Sequence, residues 1–271
     1  GNLESPSWRV LTCRLLPPHP PHDTMAKNLW AVVVAAAVTV SSATYGVDIA
    51  GSFSSSDMRC LVDQGVGFTI VRAWHSYGGF DSAAPGTIAA AWAGGMSHVD
   101  AYLFPCPSQD GPSQVKGCLN GLAGSSFGML WFDIETDPSP GCSWSSSLTD
   151  NCNFLASMIQ AVKDAGRSPG IYASNYMWGR IMGSSCRVGA DNGVPLWYAA
   201  YDGEPNFNDY PGMAFGGWSS PNIKQYSDSY GACSGTFDHD WYPDGSLASW
   251  HPGVLPASNS SAPITSLRGS K

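Results

Sequence analysis

Leu130-Trp131-Phe132-Asp133-Ile134-Glu135-Thr136 is an apolar run broken by two acids. Trp131, Phe132 and Ile134 make it a buried strand rather than a solvated edge. Acids are depleted in strands, so each of these two demands a reason. Residues i and i+2 of a strand point to the same side, about 6.5 to 7 Å apart at Cα. Asp133 and Glu135 are therefore expected to share one cavity. Two carboxylates so close oppose each other's ionisation, which leaves one able to donate a proton while the other stays anionic.

On either side of this run, short β-branched and aromatic stretches recur: Tyr45 to Ala50, Phe68 to Trp74, Val99 to Phe104, Gly170 to Ala173, Leu196 to Tyr201 and Ile223 to Tyr226. Between several of them lie helical stretches, at Ser56 to Gln64, Pro85 to Ala93 and Ser147 to Ala165. In the last, Leu155, Met158, Ile159 and Val162 fall on one face. Strand and helix alternating over about 200 residues predict an α/β fold with a parallel sheet, open or closed. The length fits a (β/α) barrel better, and the fading of helices after Leu196 predicts that its last third is irregular.

The chain has 271 residues, 13 Lys+Arg and 21 Asp+Glu, for a formal charge of −8. No two basic residues are adjacent, which gives no footprint for nucleic acid or an anionic membrane surface. Lys27 followed by the apolar run Leu29 to Val40 and then Ser41-Ser42-Ala43 reads as a signal peptide, residues 25–43. The run is too short for a membrane span, which needs roughly 20 residues. Residues 1–24 read as translated upstream sequence or an artificial extension. The expected barrel domain is 44–243, and 244–271 is expected to be a flexible Ser/Pro/Ala-rich tail carrying the sequon Asn259-Ser260-Ser261. From Thr44 onward the charge is −9 and seven cysteines remain, without a CxxC. A secreted chain then favours disulfides over zinc. One cysteine must stay unpaired; the connectivity is open, with Cys142 to Cys152 favoured as a short loop.

Barrel chemistry sits at the carboxyl ends of the strands, and two further acids stand in suitable places. Asp48 lies in Tyr45-Gly46-Val47-Asp48-Ile49-Ala50, although a lone Asp after a short strand more often turns the chain or caps a helix, here before Ser54 to Asp57. Asp238 is preferred over Asp240 in Gly235-Thr236-Phe237-Asp238-His239-Asp240-Trp241-Tyr242. Paired carboxylates are what glycoside hydrolysis requires, and Trp and Tyr at strand ends suit the C–H faces of sugars, though any single one is more often core. Asp238, His239, Asp240 and Asp244 match no calcium or zinc spacing. Gly124-Ser125-Ser126-Phe127-Gly128 fits Gly-x-Ser-x-Gly but precedes a strand, where a nucleophile elbow follows one. No metal or cofactor is expected.

These segments resemble glycoside hydrolase family 25, the lysozymes first known from fungi and bacteriophages, and especially the branch of amoebae and nematodes. The resemblance runs from about Tyr45 to Pro243 and rests on Gly46-Val47-Asp48, Phe68 to Trp74, Asp100-Ala101-Tyr102-Leu103-Phe104-Pro105-Cys106-Pro107, Trp131 to Glu135, Gly170 to Ser174, Pro195 to Ala199, Phe215 to Trp218, and Ile223 to Tyr226 leading to Asp238. It implies a single irregular barrel of TIM type with fewer helices than strands, and hydrolysis of the β-1,4 bond between N-acetylmuramic acid and N-acetylglucosamine. By position it makes Glu135 the proton donor and Asp133 the acid that steadies the charged intermediate, with Asp48 and Asp238 lining the cleft. Tyr172, Trp197 and Tyr198 match its substrate pocket. Arg72, Trp74, Tyr102 and Gln225, all within the quoted segments, complete the expected substrate-binding set. The chain departs from the common bacterial form in continuing Ile49-Ala50-Gly51-Ser52 after Asp48 and in carrying Arg72 where many members have Lys.

The expectation is a secreted, monomeric lysozyme acting on bacterial peptidoglycan in defence or digestion. A chitinase-like barrel would want another Asp two residues before Asp133, where Trp131 stands. A secreted glycan-binding protein that kept the cleft and lost turnover is the alternative from another class. The acidic charge predicts an acidic optimum, as in a gut lumen or digestive vacuole.

Overall fold

The computed structural model describes residues 43–233 and 235–253. Residues 1–24, nearly all of the expected signal peptide and the Asn259 sequon lie outside the described residues. The strands are β1 (Thr44–Ile49), β2 (Val66–His75), β3 (Gly79–Phe80), β4 (His98–Leu103), β5 (Met129–Asp133), β6 (Ser168–Ser174), β7 (Leu196–Ala199), β8 (Ile223–Ala232) and β9 (Gly235–Tyr242). The helices are α1 (Ser55–Asp63), α2 (Ala84–Gly94), α3 (Gly111–Gly121), α4 (Leu148–Asp164), α5 (Asn175–Ile181), α6 (Val188–Asp191), α7 (Tyr210–Met213) and α8 (Leu247–Trp250).

The sheet closes in the order β1-β2-β4-β5-β6-β7-β8-β9 and back to β1, with β3 pairing only the end of β2. All neighbours within the closed barrel are parallel except β9, which runs antiparallel to both β8 and β1, and the short β3 is antiparallel to β2. The irregular last third is thus a hairpin in place of a final β-α unit, and the link from β7 to β8 carries only the four-residue α7.

Strands buried on both faces divide their side chains between two clusters. Met129 and Trp131 of β5 point into the barrel with Phe68, Ile70, Tyr172, Trp197 and Ile223. Leu130 and Phe132 point out to the helices, where Leu155, Met158, Ile159 and Val162 of α4 meet the outer face. Two glycines make room for this filling. Gly46 lies opposite Phe68, and a Cβ on it would come within 2.3 Å of that ring. Gly170 lies opposite Trp131 with the same 2.3 Å conflict.

Helix α1 starts at a capping box: Asp57 N–H donates to Ser54 Oγ at 3.2 Å and Ser54 N–H donates to Asp57 Oδ2 at 2.8 Å. Ser54 therefore does the capping, and Asp48 is left within β1. The Ser125 stretch is a loop leading into β5. The disulfides are Cys60–Cys233, Cys106–Cys142 and Cys152–Cys186, and Cys118 is free and buried in α3. The expected Cys142–Cys152 pair is therefore wrong: Cys142 lies on the loop after β5 and joins the loop after β4, while Cys152 is in the first turns of α4. The ordered chain also runs past the expected boundary at residue 243. Trp250 packs against the barrel filling and His251 is buried.

Candidate active site

A cavity of about 320 Å³ opens at the carboxyl ends of the parallel strands. Each of the eight barrel strands contributes to its wall: Asp48 from β1, Arg72 from β2, Tyr102 from β4, Asp133 from β5, Tyr172 from β6, Trp197 from β7, Gln225 from β8 and Asp238 from β9. Glu135 stands just beyond the end of β5. There the Ile134 N–H still donates to Tyr172 O at 2.9 Å, and the Trp144 indole N–H donates to Glu135 O at 2.6 Å. Asp133 and Glu135 do face one space, as the period of a strand requires.

Gln225 organises the floor. Its amide N–H donates to Asp48 Oδ2 at 2.6 Å and lies 3.4 Å from Asp238 Oδ2. Its carbonyl accepts from Tyr172 at 2.6 Å and from Tyr201 at 2.7 Å. Arg72 Nε donates to Asp81 Oδ2 at 2.9 Å, so the permanent cation among the lining residues already has its own carboxylate. Among the described residues the four lining acids have no other fixed counter-charge, and their protons are held accordingly. Asp48 is pushed up to about 7, by burial first and then by the charge of Asp238. Asp133 stands well above the carboxylate range through burial, then Glu135 and Asp48. Glu135 is raised by burial and by Asp238, and Asp238 by burial and Asp228. Burial beside these acids keeps Tyr102 and Tyr172 as neutral phenols. Asp133 Oδ1 is buried and receives no hydrogen bond, an acceptor at the cavity wall without a donor.

Two expected residues are elsewhere. Tyr198 follows Trp197 directly in β7 and so faces outward, where its hydroxyl donates to Asp209 at 2.7 Å. Trp74 is turned out by a register shift between Arg72 and Trp74 in the β2–β4 pairing, and its indole N–H donates to Gln114 Oε1 at 3.2 Å. Sequence reasoning passed over His75, Ser76, Phe104 and Pro138 as lining residues, and Trp144 as the partner of Glu135. No local pattern marks them, since His75 ends β2 and the others lie in loops whose course the barrel decides.

The acids and histidine of β9 do not converge. Asp238 and Asp240 face inward, while His239 is stacked at 3.9 Å on Tyr230 and bonded to Tyr226. Among the described residues one group has metal-ligand spacing, His98, Asp100 and His251, at the opposite end of the barrel. Asp100 and His251 are already occupied, whereas both ring nitrogens of His98 are buried without a hydrogen-bond partner. Asp100 accepts from Met129 N–H, Trp131 Nε1 and His251 Nε2, each at 2.8 Å, and lies 3.0 Å from His98 Nε2. His251 Nδ1 takes the Gly253 N–H at 3.3 Å, which directs the Nε2 proton, rather than a lone pair, at Asp100. Asp100 and His251 thus form a hydrogen-bonded plug at this end, with His98 packed against it.

The family profile described as Lysozyme-like protein 1 matches residues 39–226. A probable GH family 25 lysozyme of Dictyostelium discoideum is 37% identical over 211 residues, covering 77% of this chain and 95% of the relative. The chain belongs to the family 25 lysozymes. Lysozyme-like protein 5 of Caenorhabditis elegans is 33% identical over 223 residues, covering 80% of this chain and 100% of the relative. The solved muramidase of Acremonium alcalophilum shares the fold at a TM-score of 0.60 and 23% identity, covering 73% of this chain and 93% of its own. As a family 25 member the chain is a glycoside hydrolase, on an irregular closed barrel.

Proposed function

We propose that this family 25 enzyme is a secreted muramidase that cleaves the β-1,4 bond between N-acetylmuramic acid and N-acetylglucosamine in bacterial peptidoglycan. The observation that carries this reading is the pair Asp133 and Glu135 in one aromatic-walled cavity, where burial opposes the ionisation of both. Glu135 donates its proton to the glycosidic oxygen as that bond breaks. Asp133, in its ionised form and with an oxygen that no group among the described residues satisfies, stabilises the positive charge that develops on the sugar. Tyr172 and Trp197 form the sugar-facing walls, and Tyr102, Arg72, Gln225, Asp48 and Asp238 shape the rest.

The glycan is a polymer, and the surface around the cavity suits one. Tyr77, Tyr176 and Tyr201 are 58%, 62% and 53% exposed and follow the carboxyl ends of β2, β6 and β7. β2 lies across the barrel from β6 and β7, so aromatic platforms flank the acids on opposite sides. Three disulfides support secretion into an oxidising space. Among the described residues no helix is long and apolar enough to cross a membrane.

The test is clearing of purified peptidoglycan by the chain from Thr44 onward, beside Glu135→Gln, with the released ends identified by mass spectrometry. Muramic-acid reducing ends from the wild type and none from the variant are expected. N-acetylglucosamine reducing ends would instead assign the other β-1,4 bond, and binding without cleavage by either protein would make the chain a glycan-recognition protein.

A further inference from the structure

Lys224 and Gln225 are neighbours on β8 and point to opposite faces of the barrel wall. Gln225 reaches into the cavity, where its carbonyl accepts from the Tyr201 hydroxyl at 2.7 Å. Lys224 points outward and is completely buried. Its Nζ donates to Asp202 Oδ2 at 2.7 Å and to Asp209 Oδ1 at 3.0 Å. It also lies 5.6 Å from the centre of the Tyr198 ring, whose hydroxyl donates to the same Asp209 oxygen at 2.7 Å. Both acids belong to the link from β7 to β8, where the one helix among the described residues is the four-residue α7. A buried ammonium is costly to hold, and a well-packed apolar side chain would stabilise such a site as well or better. Stability alone therefore does not account for Lys224. What its ion pairs add is a fixed place for the link.

Tyr201 and Asp202 are adjacent, and the chain at this point straddles the rim of β8. Tyr201 turns inward to Gln225, and Asp202 turns outward to Lys224. The main chain is bonded to β8 on either side, from Ala200 N–H to Gln225 O and from Gly203 N–H to Tyr226 O, each at 3.0 Å. The Asp202 N–H donates to Ala200 O at 2.9 Å, which puts Tyr201 at the apex of a γ-turn. These bonds hold the backbone. The Asp202 ion pair decides which of the two side chains faces the cavity, because it keeps the carboxylate outside and leaves the inside to the ring.

We propose that Lys224 is a positioning residue for the cleft: through Asp202 it holds Tyr201 over Gln225, and so sets from outside the barrel where the aromatic platform beside β7 meets the glycan. Asp209 gives Lys224 a second hold, next to α7. The inference rests on the muramidase reading only for what Tyr201 touches.

The experiment compares wild type with Lys224→Met, which keeps an unbranched side chain and removes the charge. Protein labelled with fluorotyrosine reports on the ring by fluorine NMR, the Tyr201 signal being assigned by its loss in Tyr201→Phe. In Lys224→Met that signal should sharpen and move toward the shift of free fluorotyrosine. KM for polymeric peptidoglycan should rise about threefold to tenfold, the range of a lost aromatic contact, with kcat within about twofold of wild type. Adding Lys224→Met to Tyr201→Ala should raise KM no further than Tyr201→Ala alone, since both remove one contact. A structural role alone would lower Tm and leave the Tyr201 signal and KM in place. An unmoved signal in a folded Lys224→Met overturns the proposal, as does a KM that multiplies in the double variant. A lower kcat at unchanged KM overturns it too, because Gln225 is then the residue displaced. If Lys224→Met does not fold, Asp202→Ala serves instead, its side chain being 37% exposed. The same changes in signal and KM are expected, and their absence overturns the proposal. The kinetic arm rests on the muramidase reading, whereas the fluorine arm does not. A protein that fails to cut peptidoglycan but frees the Tyr201 ring in Lys224→Met refutes only that reading.

Discussion

The indole N–H of Trp144 donates to the main-chain carbonyl of Glu135 at 2.6 Å, and this bond fixes a residue that has already left its strand. Glu135 depends on it for position. Trp144→Phe keeps the ring packed against Phe154 and removes only the donor. A loss of about 1 kcal/mol of positioning corresponds to roughly a fivefold to tenfold drop in kcat. Turnover of a soluble peptidoglycan fragment would show it, with KM nearly unchanged and Tm within a few degrees of wild type.

The two ends of the barrel answer pH with opposite sign. Asp48 has its folded value raised to about 7, so the stability it contributes is complete below its unfolded value of about 4 and is lost as pH rises toward 7. At the plugged end, burial opposes ionisation of Asp100, but the neighbouring imidazoles of His98 and His251 and the hydrogen bonds it accepts hold its carboxyl far below the usual range. Its contribution is present above about 4 and lost as pH falls. Thermal denaturation across pH should therefore give Tm highest near pH 4 to 5, declining on both sides. Asp48→Asn should flatten the decline toward neutral pH, and a variant that keeps the full decline would remove Asp48 as its cause.

Cys60 on α1 and Cys233 at the β8–β9 turn are 173 residues apart in the chain. This disulfide holds the hairpin carrying Asp238 to the start of the barrel. Replacing both by Ser should cost about 2 to 5 kcal/mol, read as a lower guanidinium midpoint. Activity should fall with it, because the antiparallel strand completes the cavity wall.

Tyr201 couples an exposed ring to the cavity floor through Gln225. Tyr201→Ala should raise KM for polymeric glycan about threefold to tenfold, the range of a lost aromatic contact. Tyr201→Phe should recover most of that loss. Equal KM values in Ala and wild type would take the ring out of substrate binding.

Gly170 lies opposite Trp131 with no room for a methyl group. Gly170→Ala should destabilise by about 1 to 3 kcal/mol through overpacking. An alanine tolerated at wild-type Tm would mean that Trp131 can move aside.

Much of this molecule follows from local sequence. The apolar run of Met129 to Asp133 and the capped, one-sided apolar face of Leu148–Asp164 specify strand and helix, and each side chain's direction is set by its own backbone. The same rule brings Asp133 and Glu135 together and, applied strictly, would have turned Tyr198 away from Trp197. What the chain alone could not decide depends on contacts between residues far apart in sequence. A bulge against β4 turns Trp74 outward, the closing hairpin sets Asp238 and Asp240 beside Asp48, and the cysteines pair across loops whose courses no short spacing encodes. Burial acts at that level too: the acids hold their protons because strands from the whole length of the chain exclude water from one small space.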